Sequence, residues 1–371
     1  MGKAYPKFRA AAVQAAPVFL DKEATIEKAC SLIEEAADSG AKLIVFPETY
    51  IPTYPYWPKE IRGRAPGYRT FVKLFKNSVE IPSPDTDLLC QAARRAGAYV
   101  VMGLNERDKE LQGTLYNTCL FIDKTGRIMG KHRKLMPTYG ERCVWGMGDG
   151  SDLLVFDTEL GRLGGLICAE HFMTLSRFAM FSKGEQIHVA LWPGRANIIS
   201  TIDTMGKSYA LEGQTFVVIA SGYITPAMVP DDFELKGDTD WVSRGGSGII
   251  DPRGVYLAGP LYDQEGIVYA DIDMEQIIWA KAMVDVVGHY ARYDVATLNL
   301  NERKLRPIKD LTRDAEVSAD RTYSEIREAL ERLAERVGQA SNGELREAIE
   351  GLARKVEGKE RDLLRQAVES E

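Results

Sequence analysis

Lys42 to Phe46 reads KLIVF, an uninterrupted apolar run, and it constrains the fold more than any other stretch. A strand with one wet face alternates apolar and polar residues, whereas a run without alternation belongs to a strand covered on both faces. Around it, strand-like and helical segments take turns. Arg9–Ala16 is a short strand closed by Pro17. Residues 21–39 carry Ile26, Ala29, Ile33, Ala36 and Ala37 at helical spacing and stop at Gly40. Leu88–Ala96 is helical and leads through Gly97 into the apolar Tyr99–Met102. Leu115–Ile122 and Arg127–Gly130 flank the turn Asp123-Lys124-Thr125-Gly126, and Leu153–Asp157 and Leu163–Ile167 flank Glu159-Leu160-Gly161-Arg162. Ile187–Trp192, Thr215–Ala220, Ser247–Ile250 and Gly266–Ile272 supply further strands. Hairpins among helices imply mixed sheets in a layered α/β architecture, not a purely parallel doubly wound sheet.

The 371 residues include 45% hydrophobic and 27% charged, enough apolar material for one large core. No apolar run reaches the roughly 18 residues of a membrane span. In the N-terminal stretch Pro6, Lys7, Arg9 and Gln14 break up any signal-peptide core, and Pro6 spoils a myristoylation pattern. A net charge of −7 is a poor footprint for nucleic acid or anionic lipid. Five cysteines without a C-x-x-C pair, and four histidines, argue against a disulfide framework or a zinc centre. The expectation is a cytoplasmic protein that binds neither membrane nor nucleic acid.

After Pro307 the composition changes. Residues 310–371 hold 16 acidic and 11 basic side chains, against 38 and 36 in residues 1–309, so most of the acidity lies in the tail. Residues 325–337 (EIREALERLAERV) match 344–356 (ELREAIEGLARKV) at 8 of 13 positions with an offset of 19, and a truncated copy follows at 364–370. Ile326, Leu330, Leu333 and Val337, like Leu345, Ile349, Leu352 and Val356, form a narrow seam on a short helix. Helices of about 13 residues are marginal alone in water. Two readings stand: a solvated tail, or a tail that docks or oligomerises through its seam. The chain thus divides into a main domain at 1–309 and a charged helical tail with a 19-residue repeat at 310–371.

Three apolar strands end on a reactive side chain. KLIVF runs into Pro47-Glu48, the second strand of the first hairpin into Lys131-His132-Arg133-Lys134-Leu135, and Gly164-Gly165-Leu166-Ile167 into Cys168-Ala169-Glu170-His171. Strand ends in α/β folds are where a rigid scaffold meets an open crevice. Cys168 lies between a strand and a helical stretch over Leu175–Ser182, where backbone N–H groups and the helix dipole are expected to lower the thiol pKa. Cys30, Cys90 and Cys119 fall in helix or strand patterns. Cys143, in a loop beside Arg142, is the rival nucleophile. His171, three residues past Cys168, suits packing or hydrogen bonding better than proton abstraction, which leaves a distant carboxylate as the base.

The order Phe46-Pro47-Glu48, then Arg133-Lys134-Leu135-Met136-Pro137-Thr138, then Gly164 through His171 resembles the nitrilase branch of the carbon–nitrogen hydrolase superfamily. Residues 51–57, Tyr139-Gly140-Glu141-Arg142, residues 188–194, 212–217 and 288–290 support the resemblance, which spans about residues 8–300. It implies a four-layer αββα sandwich that pairs into homodimers and longer spirals. It also implies a Glu48–Lys134–Cys168 triad with a further glutamate at Glu141, and no metal or organic cofactor. Ala169 stands where the branch usually has Trp.

The reaction implied is hydrolysis of a nitrile to a carboxylic acid and ammonia with water as co-substrate. Cys168 attacks, Glu48 moves the proton, and Lys134 with the Ala169 N–H stabilises the developing charge. Tyr54, Trp192 and His171 join Ala169 as substrate-binding candidates. Tyr50, Tyr54, Tyr56 and Trp57 either line an aromatic-tolerant pocket or pack their loop against a neighbour. Cyanide hydration or dihydration and amide hydrolysis are the alternatives within the superfamily. A catalytically silent assembly protein is the alternative from another class.

Overall fold

In a computed structural model, which describes residues 5–57, 65–238 and 242–305, the KLIVF run forms a strand over Ala41–Val45 covered on both faces. Leu43 and Val45 enter one buried cluster, Ile44 and Phe46 another, as the two-residue period of a strand requires.

In chain order the strands are β1 (Lys7–Gln14), β2 (Ala41–Val45), β3 (Tyr99–Arg107), β4 (Leu115–Ile122), β5 (Ile128–Arg133), β6 (Val155–Thr158) and β7 (Gly161–Ile167). They continue with β8 (Ile187–Trp192), β9 (Phe216–Ser221), β10 (Tyr223–Ile224), β11 (Ser243–Ile250), β12 (Tyr256–Tyr262) and β13 (Gly266–Asp273). The helices are α1 (Lys22–Asp38), α2 (Ala65–Lys76), α3 (Pro84–Ala96), α4 (Thr174–Ser182), α5 (Ile199–Gly213) and α6 (Glu275–Met283). One sheet has the order β13-β1-β2-β3-β4-β5, the other β10-β11-β9-β8-β7-β6 with β12 also paired to β11. β1, β2 and β3 run parallel, as do β7, β8 and β9, while both expected hairpins are antiparallel, so the sheets are mixed.

Ala10, Ala12, Val45, Val101 and Phe121 of the first sheet meet Leu163, Ile167, Val189, Leu191 and Val218 of the second. The opposite face of the first sheet, with Ala11, Val13 and Val100, is covered by Ile26, Ala29 and Ile33 of α1 and Leu89 and Ala93 of α3. Ile202, Tyr209 and Ala210 of α5 cover the second sheet. The result is the αββα sandwich. Each Leu, Ile or Val so enclosed contributes about 1.5–3 kcal/mol, which is why the unbroken apolar runs lie in the central strands.

Helix ends follow local chemistry. Asp21 caps α1 by accepting the Ala24 N–H at 3.0 Å. α3 starts at Pro84, ahead of the Leu88 expected from apolar spacing, because Ser83 and Thr86 form a capping box. The sequence patterns do not mark helices α2, α5 and α6 or strands β10 and β12. In α5 a helix interrupted by Gly206 reads poorly as one. There a Cβ would lie 2.6 Å from Ile219, so the glycine serves close packing of α5 on β9. The 309/310 boundary and the repeated tail lie outside the described residues. Among the described residues no helix is long and apolar enough to cross a membrane.

Candidate active site

Glu48 follows β2 by three residues, Lys134 directly follows β5, and Cys168 directly follows β7. β2 and β5 belong to one sheet and β7 to the other, so the three side chains converge where the two sheets face each other. The backbone is strained at each approach. Cys168 itself has φ +52°, Thr49 after Glu48 has +43°, and Tyr139 before Glu141 has +48°. Gly103 of β3 makes room for the Glu48 turn, since a Cβ there would lie 1.9 Å from the Pro47 carbonyl oxygen.

Lys134 Nζ donates to Glu48 Oε1 and to Glu141 Oε2, both at 2.8 Å. Asn117 Nδ2 donates to Glu48 Oε1 at 2.6 Å, and the Tyr54 hydroxyl donates to Glu141 Oε1 at 2.8 Å. A carboxylate oxygen from each glutamate and the Cys168 sulfur lie within 4.8 Å of one another. Glu48 Oε2 is buried and, among the described residues, has no hydrogen-bond partner. It is the open acceptor of the group. The positive charge among these donors is the Lys134 ammonium itself, seated between the carboxylates where a metal ion would otherwise sit.

Burial shapes the charges. It pushes the Glu48 carboxyl up to about 7, with the Glu141 charge adding to the effect and Lys134 and Asn117 opposing it. Burial works against the Lys134 ammonium, yet the carboxylates of Glu141 and Glu48 hold it charged well above the ordinary lysine range. The Cys168 thiol is pushed well up by burial and by Glu48, against Lys134 and the Ala169 N–H. This overturns the expected low thiol pKa. Cys168 opens a short 3-10 turn, Cys168–Phe172, and α4 starts only at Thr174, so no α-helix dipole is aimed at the sulfur. The resting site is a neutral thiol beside a carboxyl poised near neutrality.

The other candidates divide. Tyr54 and Tyr56 line a cleft over Glu48 together with Pro193 and Tyr223. Trp57 packs against Phe19 and Phe233 instead. Ala169 is half-buried beside the cysteine. His171 and Trp192 are buried and stacked on each other, and His171 Nδ1 lies 2.7 Å from the Cys168 carbonyl oxygen. Cys143 is half-buried in the turn whose Glu141 points into the site.

Three residues given no role from sequence, Asn117, Glu170 and its partner His132, hold the site together. Asn117, on β4, pins Glu48. Glu170 accepts the Leu135 N–H and the Ile167 N–H, each at 2.7 Å, and lies 2.8 Å from His132 Nε2. It thereby ties the residue after Lys134 to the residue before Cys168, across the two sheets. Burial opposes its charge, but His132 and the two amides hold Glu170 below the usual carboxylate range. The nearest signal was its place in the Cys168–His171 motif, which says nothing of its partners.

The carbon–nitrogen hydrolase family model matches residues 9–282. A nitrilase of Bacillus sp. (strain OxB-1) is 42% identical over 332 residues, covering 87% of this chain and 96% of the relative. An aliphatic nitrilase of Rhodococcus rhodochrous is 44% identical over 319 residues, covering 81% and 84%. Among solved structures, Saccharomyces cerevisiae Nit3, a member of branch 10 of the nitrilase superfamily, superposes with a TM-score of 0.63 at 22% identity. That match covers 77% of this chain and 99% of the yeast chain, and it concerns the fold.

Proposed function

The chain belongs to the carbon–nitrogen hydrolase family and to its nitrilase branch, and we propose that it hydrolyses an organic nitrile to the carboxylic acid and ammonia. The observation that carries this reading is the meeting of Glu48, Lys134 and Cys168 around one point, with Glu48 Oε2 open.

A nitrile carbon is a weak electrophile, so the thiol has to be deprotonated as it attacks. Glu48 takes the Cys168 proton, the sulfur bonds to the nitrile carbon, and the proton passes to nitrogen to give a thioimidate. Lys134 and the Ala169 N–H face the developing charge; one such donor typically lowers a barrier by about 2.7–4 kcal/mol. Water deprotonated by Glu48 then adds to the thioimidate, and nitrogen leaves as ammonia to give a thioester. A second water releases the acid and restores the thiol. Glu141, held by Lys134 and Tyr54, orients the ammonium throughout.

Ammonia release across aliphatic, arylaliphatic and aromatic nitriles, cyanide and the matching amides tests the proposal, with Cys168→Ala as control. Turnover of aliphatic or arylaliphatic nitriles, lost in the variant, is expected. Faster turnover of amides than of every nitrile overturns the nitrile reading, and an active Cys168→Ala overturns the nucleophile.

The chain further works as a homodimer or higher spiral homo-oligomer in the cytoplasm. Large apolar side chains exposed at Phe172, Leu175 and Leu211 support self-association, and five free cysteines suit a reducing compartment. In this reading residues 1–309 are the catalytic domain and the 310–371 tail docks through its apolar seam. Deleting the tail is expected to change the size-exclusion profile and leave the triad chemistry. An unchanged profile sinks the docking idea.

A further inference from the structure

Behind the cysteine lies a second line of buried titratable groups that the reaction does not use. His171 Nδ1 is 2.7 Å from the Cys168 carbonyl oxygen, and His171 Nε2 is 2.9 Å from His188 Nε2. His188 Nδ1 is 2.9 Å from Glu185 Oε1, and the Tyr209 hydroxyl donates to Glu185 Oε2 at 2.6 Å. His171, His188, Glu185 and Tyr209 are all at most 1% exposed.

A carbonyl oxygen only accepts, so His171 Nδ1 must carry its proton. A neutral His171 then presents a lone pair at Nε2, and His188 must donate from its own Nε2. A neutral His188 in turn presents a lone pair at Nδ1, so Glu185 Oε1 must donate. We propose that Glu185 is a protonated carboxylic acid terminating a one-way hydrogen-bond chain, Glu185→His188→His171, that positions the Cys168 backbone from behind.

The surroundings agree. Burial holds His171 down to about 3 and His188 well below its usual range, and pushes Glu185 up to about 8 against the Tyr209 bond. Nearby Arg177 is bonded to Glu212 and Ser208, and Glu170 to His132, so neither pair is committed to Glu185. On β7, Gly164 leaves space for the acid, since a Cβ there would lie 2.3 Å from Glu185 Oε1. Loss of the Glu185 proton forces both imidazoles to exchange tautomers. That sets a His171 lone pair against the Cys168 carbonyl, so deprotonation far from the sulfur unseats the nucleophile.

Infrared spectra of parental protein and Glu185→Gln test the protonation without turnover, so this arm is independent of the nitrile reading on which the kinetic arm rests. The expected result is a carboxylic-acid carbonyl band in the parent-minus-variant difference spectrum, in which the partly protonated Glu48 cancels. Tyr209→Phe, which removes the donor to Oε2, should raise that band's frequency and serves if Glu185→Gln does not fold. In the kinetic arm Glu185→Leu lowers kcat/KM on the order of tenfold to a hundredfold. Glu185→Gln, whose amide donates to His188 at any pH, restores turnover and extends activity to higher pH than the parent. The proposal is overturned if the difference spectrum lacks the band, if the band stays put in Tyr209→Phe, or if parent and Glu185→Gln share one alkaline limb.

Discussion

The Lys134 ammonium lies 2.8 Å from Glu48 Oε1, and neither side chain is exposed at all. Two charges so enclosed are held for their chemistry and not for stability, because desolvation offsets most of their attraction. With Glu141 on its other side, Lys134 is the one cation among two carboxylates and a thiol. It keeps Glu48 ionisable in a setting that would otherwise hold the proton.

Replacing Lys134 by Met leaves the carboxylates without a counter-charge. A broken buried pair costs about 3–5 kcal/mol, which urea unfolding at neutral pH should read as a lower midpoint. Without Lys134 the Glu48 pKa rises further above its usual range. A carboxyl raised on folding is penalised progressively as pH climbs above its unfolded value of about 4.3. The gap between variant and parent should therefore shrink as pH falls towards that value. Turnover is lost, and a Lys134→Met protein with parental activity contradicts the assignment.

The pH profile should report Glu48. With its carboxyl pushed up to about 7, kcat/KM rises through that pH as the base ionises. Asn117 donates to the same carboxylate at 2.6 Å and favours the charged form. Asn117→Leu removes that donor, so the acid limb is expected to move to higher pH with turnover partly recovered on the alkaline side. A limb that stays in place assigns it to another group.

The Glu170 clamp carries its own pH signature. Glu170 is held below its usual range, so its contribution is full above the unfolded value of about 4.3 and is lost as pH falls. Burial opposes the His132 charge, but Glu170 raises its pKa overall, so that contribution is full below about 6.5 and is lost as pH rises. Glu170→Gln should destabilise most between those two values and less on either side. It should also lower kcat on the order of a hundredfold, because the Lys134 and Cys168 backbones lose their common anchor. A uniform stability loss across pH would mean that the ion pair is absent.

The layers and three of the site residues were legible because they rest on short-range patterns. Unbroken apolar runs mark central strands, and Glu48, Lys134 and Cys168 sit at their ends. What escaped depends on partners distant in sequence. Asn117 reads as an ordinary strand residue until Glu48, 69 positions away, is folded against it. Glu170 looks like a turn residue until its carboxylate meets the Leu135 amide, 35 positions back. The thiol pKa was misjudged for a related reason. Its place after a strand suggested a helix dipole, whereas the enclosing sheets make desolvation the larger effect.

Tyr54 separates orientation of the lysine from its charge. Its hydroxyl donates to Glu141 Oε1 while Lys134 and the Thr138 N–H hold Oε2, and its ring meets Trp145 edge-on at 5.7 Å. Tyr54→Phe keeps the ring and its packing but leaves a buried carboxylate oxygen short of a donor, which costs about 1–3 kcal/mol. The carboxylate is then free to rotate about its remaining partners and tilt the Lys134 ammonium away from the substrate nitrogen while the Lys134–Glu48 bond stays in place. Because Tyr54 also lines the cleft, KM alone is ambiguous. The discriminating measurement is single-turnover alkylation of Cys168 by iodoacetamide beside steady-state hydrolysis. If Tyr54 acts through Glu141, kcat falls while the alkylation rate holds, since the thiol and Glu48 are untouched. If both fall together, Tyr54 instead maintains the shape of the whole site.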